Sequence, residues 1–223
     1  MRILHHFPLC PFSRKIRLVM AEKALDFELK TVRYWEENDD FLRLNPGGFV
    51  PVLEEDNKAV IVGDYAILEY LDEAYPQHKG LTGRTLQERA EIRRLVHWFD
   101  GKFYQEVSQK VYGERVEKRL LKKGFPSTEI IRDGLQNIQM HLDYIAWIVD
   151  QKSWLAGRNI TIADLTAAAH LSTLDYFGDV PWDRYPATKD WYMKLKSRPT
   201  FRSLLEDIVA GHRRADHYPE LDF

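Results

Sequence analysis

Strand-length and helix-period runs alternate over the first third of the chain. Residues 2–7 (RILHHF) have strand length and end at Pro8. Residues 10–23 then place Phe12, Ile16, Val19 and Met20 on one helical face. Pro11 suits a first helical turn, where its missing N–H has no partner to lose. Residues 27–34 alternate Phe27, Leu29 and Thr31 against charged neighbours, the pattern of a half-buried strand. A short helix over 41–44 is expected to stop at Asn45-Pro46. Residues 50–62 read as a hairpin turning at Asp56-Asn57-Lys58. Residues 64–75 read as a helix capped by Asp64, with Ile67, Leu68, Leu71 and Tyr75 inward. The predicted order is β-α-β-α-β-β-α.

A polar stretch with Gly80 and Gly83 interrupts this pattern, and everything beyond it has helical period. Ile92, Val96, Phe99, Phe103 and Val107 mark one helix. Ile131, Leu135, Ile138, Leu142, Ile145 and Val149, spaced alternately four and three apart, predict one buried stripe on another. Thr161 is the expected N-cap of a third, with Asp164 completing a capping box. Two more helices are expected around Trp191 and Leu204. The predicted boundaries are an α/β domain over 1–76, a linker over 77–87, an all-helical domain over 88–209 and a tail over 210–223.

Composition narrows the function classes. The chain has 223 residues, 44% of them hydrophobic and 30% charged, the balance of an ordinary globular protein. With 32 basic and 34 acidic residues the net charge is −2, which offers no electrostatic case for nucleic acid or an anionic membrane. No run approaches the ~20 apolar residues of a membrane span, and the N-terminus lacks a signal-peptide pattern. A single cysteine excludes an internal disulfide framework and fits a reducing compartment, so the cytoplasm is expected.

That cysteine, Cys10, has two readings. A thiol at a helix N-terminus feels the positive end of the macrodipole, which favours thiolate, and Arg14 and Lys15 follow within a turn. A lone cysteine is also often an inert core residue. Ser13 adds a hydroxyl near the same helix start. Metal-ligand and phosphate-loop motifs are absent, and no metal is expected: His5 and His6 point to opposite faces of a strand, and the eight histidines are scattered and expected mostly on the surface.

Four segments together resemble the cytosolic glutathione S-transferases: CPFSRKIRLVMAEK, FLRLNPGGFVPVLEED, GDYAILEYLDEAYP and WLAGRNITIADLTAAAHL, in family order across nearly the whole chain. The resemblance implies a thioredoxin-like N-terminal domain, an all-α C-terminal domain, a homodimer and a glutathione site on the first domain. It places Cys10 at the position of the catalytic thiol or serine, with Ser13 beside it. It makes Val50-Pro51 the cis-proline motif whose main chain pairs with glutathione. It assigns Asp164 a capping role. Two positions depart from the pattern. Asp64-Tyr65 replaces the usual Glu-Ser, and Tyr65 is expected to crowd the pocket for the γ-glutamyl carboxylate. Phe49 stands where a Lys or Gln reaches the glycyl carboxylate. Losing two charge-assisted anchors of ~1.5–3 kcal/mol each weakens glutathione by orders of magnitude.

Three further segments are similar to the FtsZ-associated, transferase-like division proteins of the superfamily: VRYWEENDDFLRLNP, HWFDGKFYQEV and the tail HRRADHYPELDF. This implies FtsZ or another division protein as partner, with Trp35, Arg213, Tyr218 and Phe223 as candidate contacts. Trp35 reads equally as a core residue, and the tail equally as a segment folded back on its own domain. Two functions therefore stand: a partner-binding module with weak or no glutathione chemistry, or a glutathione or thiol transferase using Cys10.

Overall fold

Leu4 of strand β1 (Arg2–His6) faces Leu29 of β2 (Phe27–Thr31) in parallel register and Leu53 of β3 (Val52–Glu54) in antiparallel register. Strand β4 (Val60–Val62) pairs antiparallel with β3 and completes a mixed sheet of order β2-β1-β3-β4. These strands belong to a computed structural model that describes residues 1–36, 38–78 and 80–221. Two compact units divide the chain between Leu81 and Thr82.

In the first unit, α1 (Pro11–Glu22) and α3 (Asp64–Ala74) pack against each other, and α3 also lies on β3 and β4. A short α2 (Asp39–Leu44) is capped by Asn38, whose side chain accepts a hydrogen bond from the Phe41 N–H at 3.0 Å, and it ends at Asn45. The predicted element order is observed. Strand β2 departs from its reading: as an edge strand it leaves Leu29 exposed. Asp64 is not the cap of α3. Gly63 takes that position, at a φ of 87° that favours glycine, and Asp64 is the first residue inside the helix.

The second unit is helical. One continuous helix runs from Leu86 to Leu120 and changes its winding on the way. It comprises α4 (Leu86–His97), a π-helical stretch (Trp98–Ser108), α5 (Gln109–Tyr112), a second π stretch (Gly113–Glu117) and α6 (Lys118–Leu120). Its start carries a full capping box: the Glu88 N–H donates to Thr85 Oγ1 and the Thr85 N–H donates to Glu88 Oε2, each at 3.1 Å. The π winding follows from the pattern of buried residues. Phe99, Phe103, Val107 and Val111 recur at strict four-residue intervals. On an α-helix each such step overshoots a turn by roughly 40°, so the four would wind round the axis. The wider i→i+5 turn keeps them on one face.

Helix α7 (Thr128–Gln151) buries Gly134, Ile138, His141, Leu142, Ile145 and Ile148, while Ile131, Leu135 and Val149 are only half-buried. The stripe is rotated from its predicted line because Gly134 faces the long helix. A Cβ there would lie 2.9 Å from Val111 Cγ2 and 3.0 Å from Lys110 Cβ. Helix α8 (Ile162–Tyr176) is buried along its whole length, and α9 (Pro186–Lys196) and α10 (Arg202–Leu205) follow.

The tail folds back on this unit. The Ala215 N–H donates to the Tyr176 carbonyl at 2.8 Å, Arg214 Nη1 to the Leu205 carbonyl at 2.7 Å and the Tyr218 hydroxyl to the Leu204 carbonyl at 3.1 Å. Tyr218 is fully buried, so its ring is a core residue and not an exposed anchor. Phe223 lies outside the described residues.

Candidate functional site

Sheet register gathers the candidate residues of the first unit at one end. The C-terminal end of β1 pairs with Thr31, the last residue of β2, and with Val52, the first of β3; Val52 in turn faces Val62 at the end of β4. The segments that continue from those residues therefore share that end: the α1 start with Cys10 and Ser13, the loop with Trp35, the turn with Phe49, Val50 and Pro51, and the α3 start with Asp64 and Tyr65.

Cys10 is the N-cap of α1. Its N–H donates to the Phe7 carbonyl and its own carbonyl accepts from the Arg14 N–H, both at 3.0 Å. The sulfur caps no backbone N–H, and the residue is 7% exposed. Ser13 is fully buried, with its hydroxyl accepting from the Phe7 N–H at 3.4 Å. Arg14 Nε donates to the Pro8 carbonyl at 2.6 Å. The segment 7–14 is thus a closed hydrogen-bonded turn, which fixes the cysteine backbone. His6, just before it, is buried. Burial, then Arg17 and Arg14, hold its imidazole down to about 3, so it is neutral at pH 7.

Val50-Pro51 is a cis peptide. Val50 precedes β3, and its main chain lies outside the ladder that pairs Val52 with Val62. The turn before it is braced by Asn45. Its Nδ2 donates to the Phe49 carbonyl at 2.7 Å, and its Oδ1 accepts from the Gly47 N–H at 2.9 Å. Phe49 is exposed and presents no charge.

Asp64 pairs with Lys15 Nζ, tying the start of α3 to α1. That partner carries no local signal, since the two lie 49 positions apart. Tyr65 corrects an expectation. Its ring is 67% exposed, so it fills no pocket. The second helical position carries a solvent-facing phenol, and what is lost relative to the family pattern is the small serine hydroxyl itself.

Trp35 joins its two readings. It is half-buried, packed edge-on against Phe7 at 5.3 Å and Tyr34 at 5.3 Å, while Phe7 and Tyr34 lie 5.9 Å apart. Three mutually perpendicular rings hold the indole in place while part of it meets solvent. The pairing of Phe7 with the Tyr34-Trp35 dipeptide was missed in the sequence. The signal available was an aromatic at the end of each of two strands that prove to be neighbours.

Arg213 is exposed and belongs to the second unit, as does the buried Tyr218. The expectation of surface histidines is overturned in both units. His5, His6, His141 and His170 are all buried. His170 sits between Ser108 Oγ at 2.9 Å and Asp100 Oδ1 at 3.2 Å. The array has the composition of a hydrolytic triad, but Ser108 is fully buried and no substrate reaches it. It is internal wiring of the π stretch. Among the described residues, no group of three or more metal-ligating side chains converges, and no helix is long and apolar enough to cross a membrane.

The profile of the glutathione S-transferase N-terminal domain matches residues 4–79, and that of the C-terminal domain residues 103–207. FtsZ-localized protein A of Caulobacter vibrioides is 50% identical over 225 aligned residues, covering 100% of this chain and 98% of that protein. A crystal structure of a glutathione S-transferase from Rhodospirillum rubrum superposes with a TM-score of 0.97 at 47% identity over the full length of both chains. The structure of FzlA from C. crescentus superposes with a TM-score of 0.95 at 50% identity, covering 100% of this chain and 99% of that one. With both domain profiles matched and half of all positions shared along its length with a relative of this kind, the chain belongs to the glutathione S-transferase family.

Proposed function

We propose that this protein is a partner-binding module built on the glutathione S-transferase fold, acting with FtsZ in cell division in the cytoplasm as a homodimer, with weak or no glutathione chemistry. The observation that carries the reading is identity at half of all positions, end to end, with a protein named for its localisation with FtsZ. The sheet end supports it. Trp35 is an aromatic anchor on a rigid two-ring platform, the kind of group that dominates protein interfaces. The positions that would hold glutathione's two carboxylates carry Tyr65 and Phe49.

Co-sedimentation with FtsZ filaments tests this. Wild-type protein is expected in the pellet, and Trp35→Ala is expected to weaken binding about tenfold or more, as truncating an interface anchor does. A wild-type protein that stays in the supernatant with assembled FtsZ sinks the reading.

One observation favours the enzyme reading. Cys10 is the N-cap residue of α1, at the same end of the sheet as a cis-proline whose neighbouring main chain lies outside the sheet ladder. Calorimetric titration with glutathione separates the two. The module reading expects no saturable heat up to millimolar glutathione. Saturable binding, together with a mixed disulfide formed when oxidised glutathione is supplied (the Cys10 thiolate displacing one glutathione thiolate) and lost in Cys10→Ala, establishes the thiol transferase instead.

A further inference from the structure

A cavity of about 370 Å³ opens where the tail crosses the second unit, lined by Tyr176, Ile208, His212, Arg213, Arg214, Ala215 and Asp216. We propose that this cavity is a docking site for an acidic peptide segment carrying an aliphatic side chain, a proposal that deepens the partner-binding reading and rests on it. Three features of the site argue for that occupant.

The first is charge. The lining holds two arginines against one aspartate, and Arg119 stands just outside, its Nη1 donating to the Gly211 carbonyl at 3.2 Å. Burial and then Arg119 hold His212 below its ordinary range, so the imidazole is neutral at pH 7 and the positive charge comes from guanidinium groups. Guanidinium is the group best shaped to take a carboxylate.

The second is an exchangeable carboxylate already in place. Asp216 Oδ1 pairs with Arg213 Nη2 at 3.5 Å, and both side chains are almost fully exposed, at 92% and 87%. An exposed pair of that length is worth little, so a carboxylate from a partner can replace it without a large loss. Beside it Ile208 is 81% exposed, an apolar group that none of the described residues covers. A carboxylate next to an aliphatic chain matches both.

The third is rigidity. The floor and rim are bolted before any partner arrives. The Tyr176 hydroxyl donates to the His212 carbonyl at 3.0 Å and accepts from the Val209 N–H at 3.2 Å, and Arg214 is anchored on the Leu205 carbonyl. Behind the rim, His217 Nε2 lies 2.9 Å from Asp175 Oδ1, a buried carboxylate that also accepts from Trp182 Nε1 at 2.7 Å. A preformed site spares the partner the cost of ordering the tail. At this volume it takes one or two side chains of an extended segment, not a folded domain.

Fluorescence anisotropy of labelled acetyl-Leu-Glu-Glu-Leu amide, with the Gln-Gln peptide as control and inorganic phosphate as competitor, tests the site. The acidic peptide is expected to bind at least tenfold more tightly than the control, to weaken with added salt, and to lose tenfold or more in Arg213→Glu. Ile208→Asp is a second variant with the same expectation. Both positions are exposed, and an unchanged melting temperature shows each variant folded. Equal binding of the two peptides, binding undiminished in Arg213→Glu, or full displacement by phosphate at the peptide's own concentration overturns the proposal, even where FtsZ co-sedimentation is intact. Loss of FtsZ co-sedimentation with peptide binding retained fails the division reading and leaves the acidic-peptide site standing.

Discussion

Replacing Asp164 with alanine is expected to lower the stability of the second unit by about 4 kcal/mol, enough to remove a large part of an ordinary domain's ~5–15 kcal/mol. The carboxylate is fully buried and accepts four hydrogen bonds. Oδ1 takes the Leu155 N–H at 2.8 Å and the Trp191 indole N–H at 3.1 Å; Oδ2 takes the Thr161 N–H at 2.9 Å and the Thr161 hydroxyl at 3.0 Å. Alanine leaves two backbone donors and an indole donor buried without partners, at ~1–3 kcal/mol each, partly relieved by relaxation. The site joins the loop before α8, the first turn of α8 and α9, so the loss is shared by three segments. Asp164→Asn keeps the shape and one acceptor oxygen, and is expected to cost about half as much. Urea unfolding followed by tryptophan fluorescence reads both directly, because Trp191 donates to this carboxylate. Midpoints within error of wild type for the alanine variant would show that the donors find other partners.

Asp164 is also the position most legible in the sequence. A threonine followed three residues later by an aspartate, ahead of an apolar run, announces a helix start from local chemistry alone. The first unit was legible for the same reason. Each of its elements is short, bounded by Pro8, Pro46 or Gly63, and written in a period of two or of three to four. What escaped the sequence is long-range. Asp64 looked like a cap because aspartate often is one; a lysine 49 positions away makes it an ion-pair partner. Tyr65 looked like a plug because of its size, but a ring at a helix start points into solvent unless a neighbour covers it. The tail of Tyr218 reads equally as an exposed anchor or as a segment folded back on its own domain, and only the fold decides for the second: α10 supplies a carbonyl for its hydroxyl. The π winding was written in the sequence, as unbroken four-residue spacing from Phe99 to Val111, but it is invisible to a reading that accepts three and four as equivalent.

Family membership and function separate along the same line. The turn 7–14, the cis-proline turn and the α8 cap are scaffold, specified locally, and lie inside the two segments matched by the family's domain profiles. The exposed side chains set on that scaffold differ in kind: Phe49 and Tyr65 where the family places polar anchors, and Trp35 braced between two rings. Under the function proposed above, exposed aromatics on an unchanged backbone frame suit surface recognition better than recognition of a small anion.

Acidification from pH 7 to pH 5 is expected to cost about 2 kcal/mol in each unit through one buried histidine apiece. His141 shows why. Trp98 Nε1–H donates to its Nδ1 at 3.1 Å, and indole is a donor only. Nδ1 is therefore unprotonated, and Nε2–H faces Glu106 Oε2 at 3.0 Å. Adding a proton turns an acceptor into a second donor against the indole. Burial is the larger cause, and with Lys102 nearby it outweighs Glu106, so the imidazole is held down to about 4. His6 in the first unit is held down to about 3 by burial and by Arg17 and Arg14. Unfolded, both take a proton near ~6.5. The native state then binds fewer protons than the unfolded state at any pH below that. The stabilisation is complete above ~6.5 and is lost at ~1.4 kcal/mol per histidine per pH unit as the pH falls towards the folded values. Urea midpoints at half-unit steps between pH 7 and pH 5 measure the slope. His141→Gln, which can still accept from Trp98 and donate to Glu106, is expected to flatten it in the second unit even if overall stability drops. A wild-type midpoint that does not move over this range, or a slope unchanged in the glutamine variant, would mean that the buried imidazoles take up protons without loss.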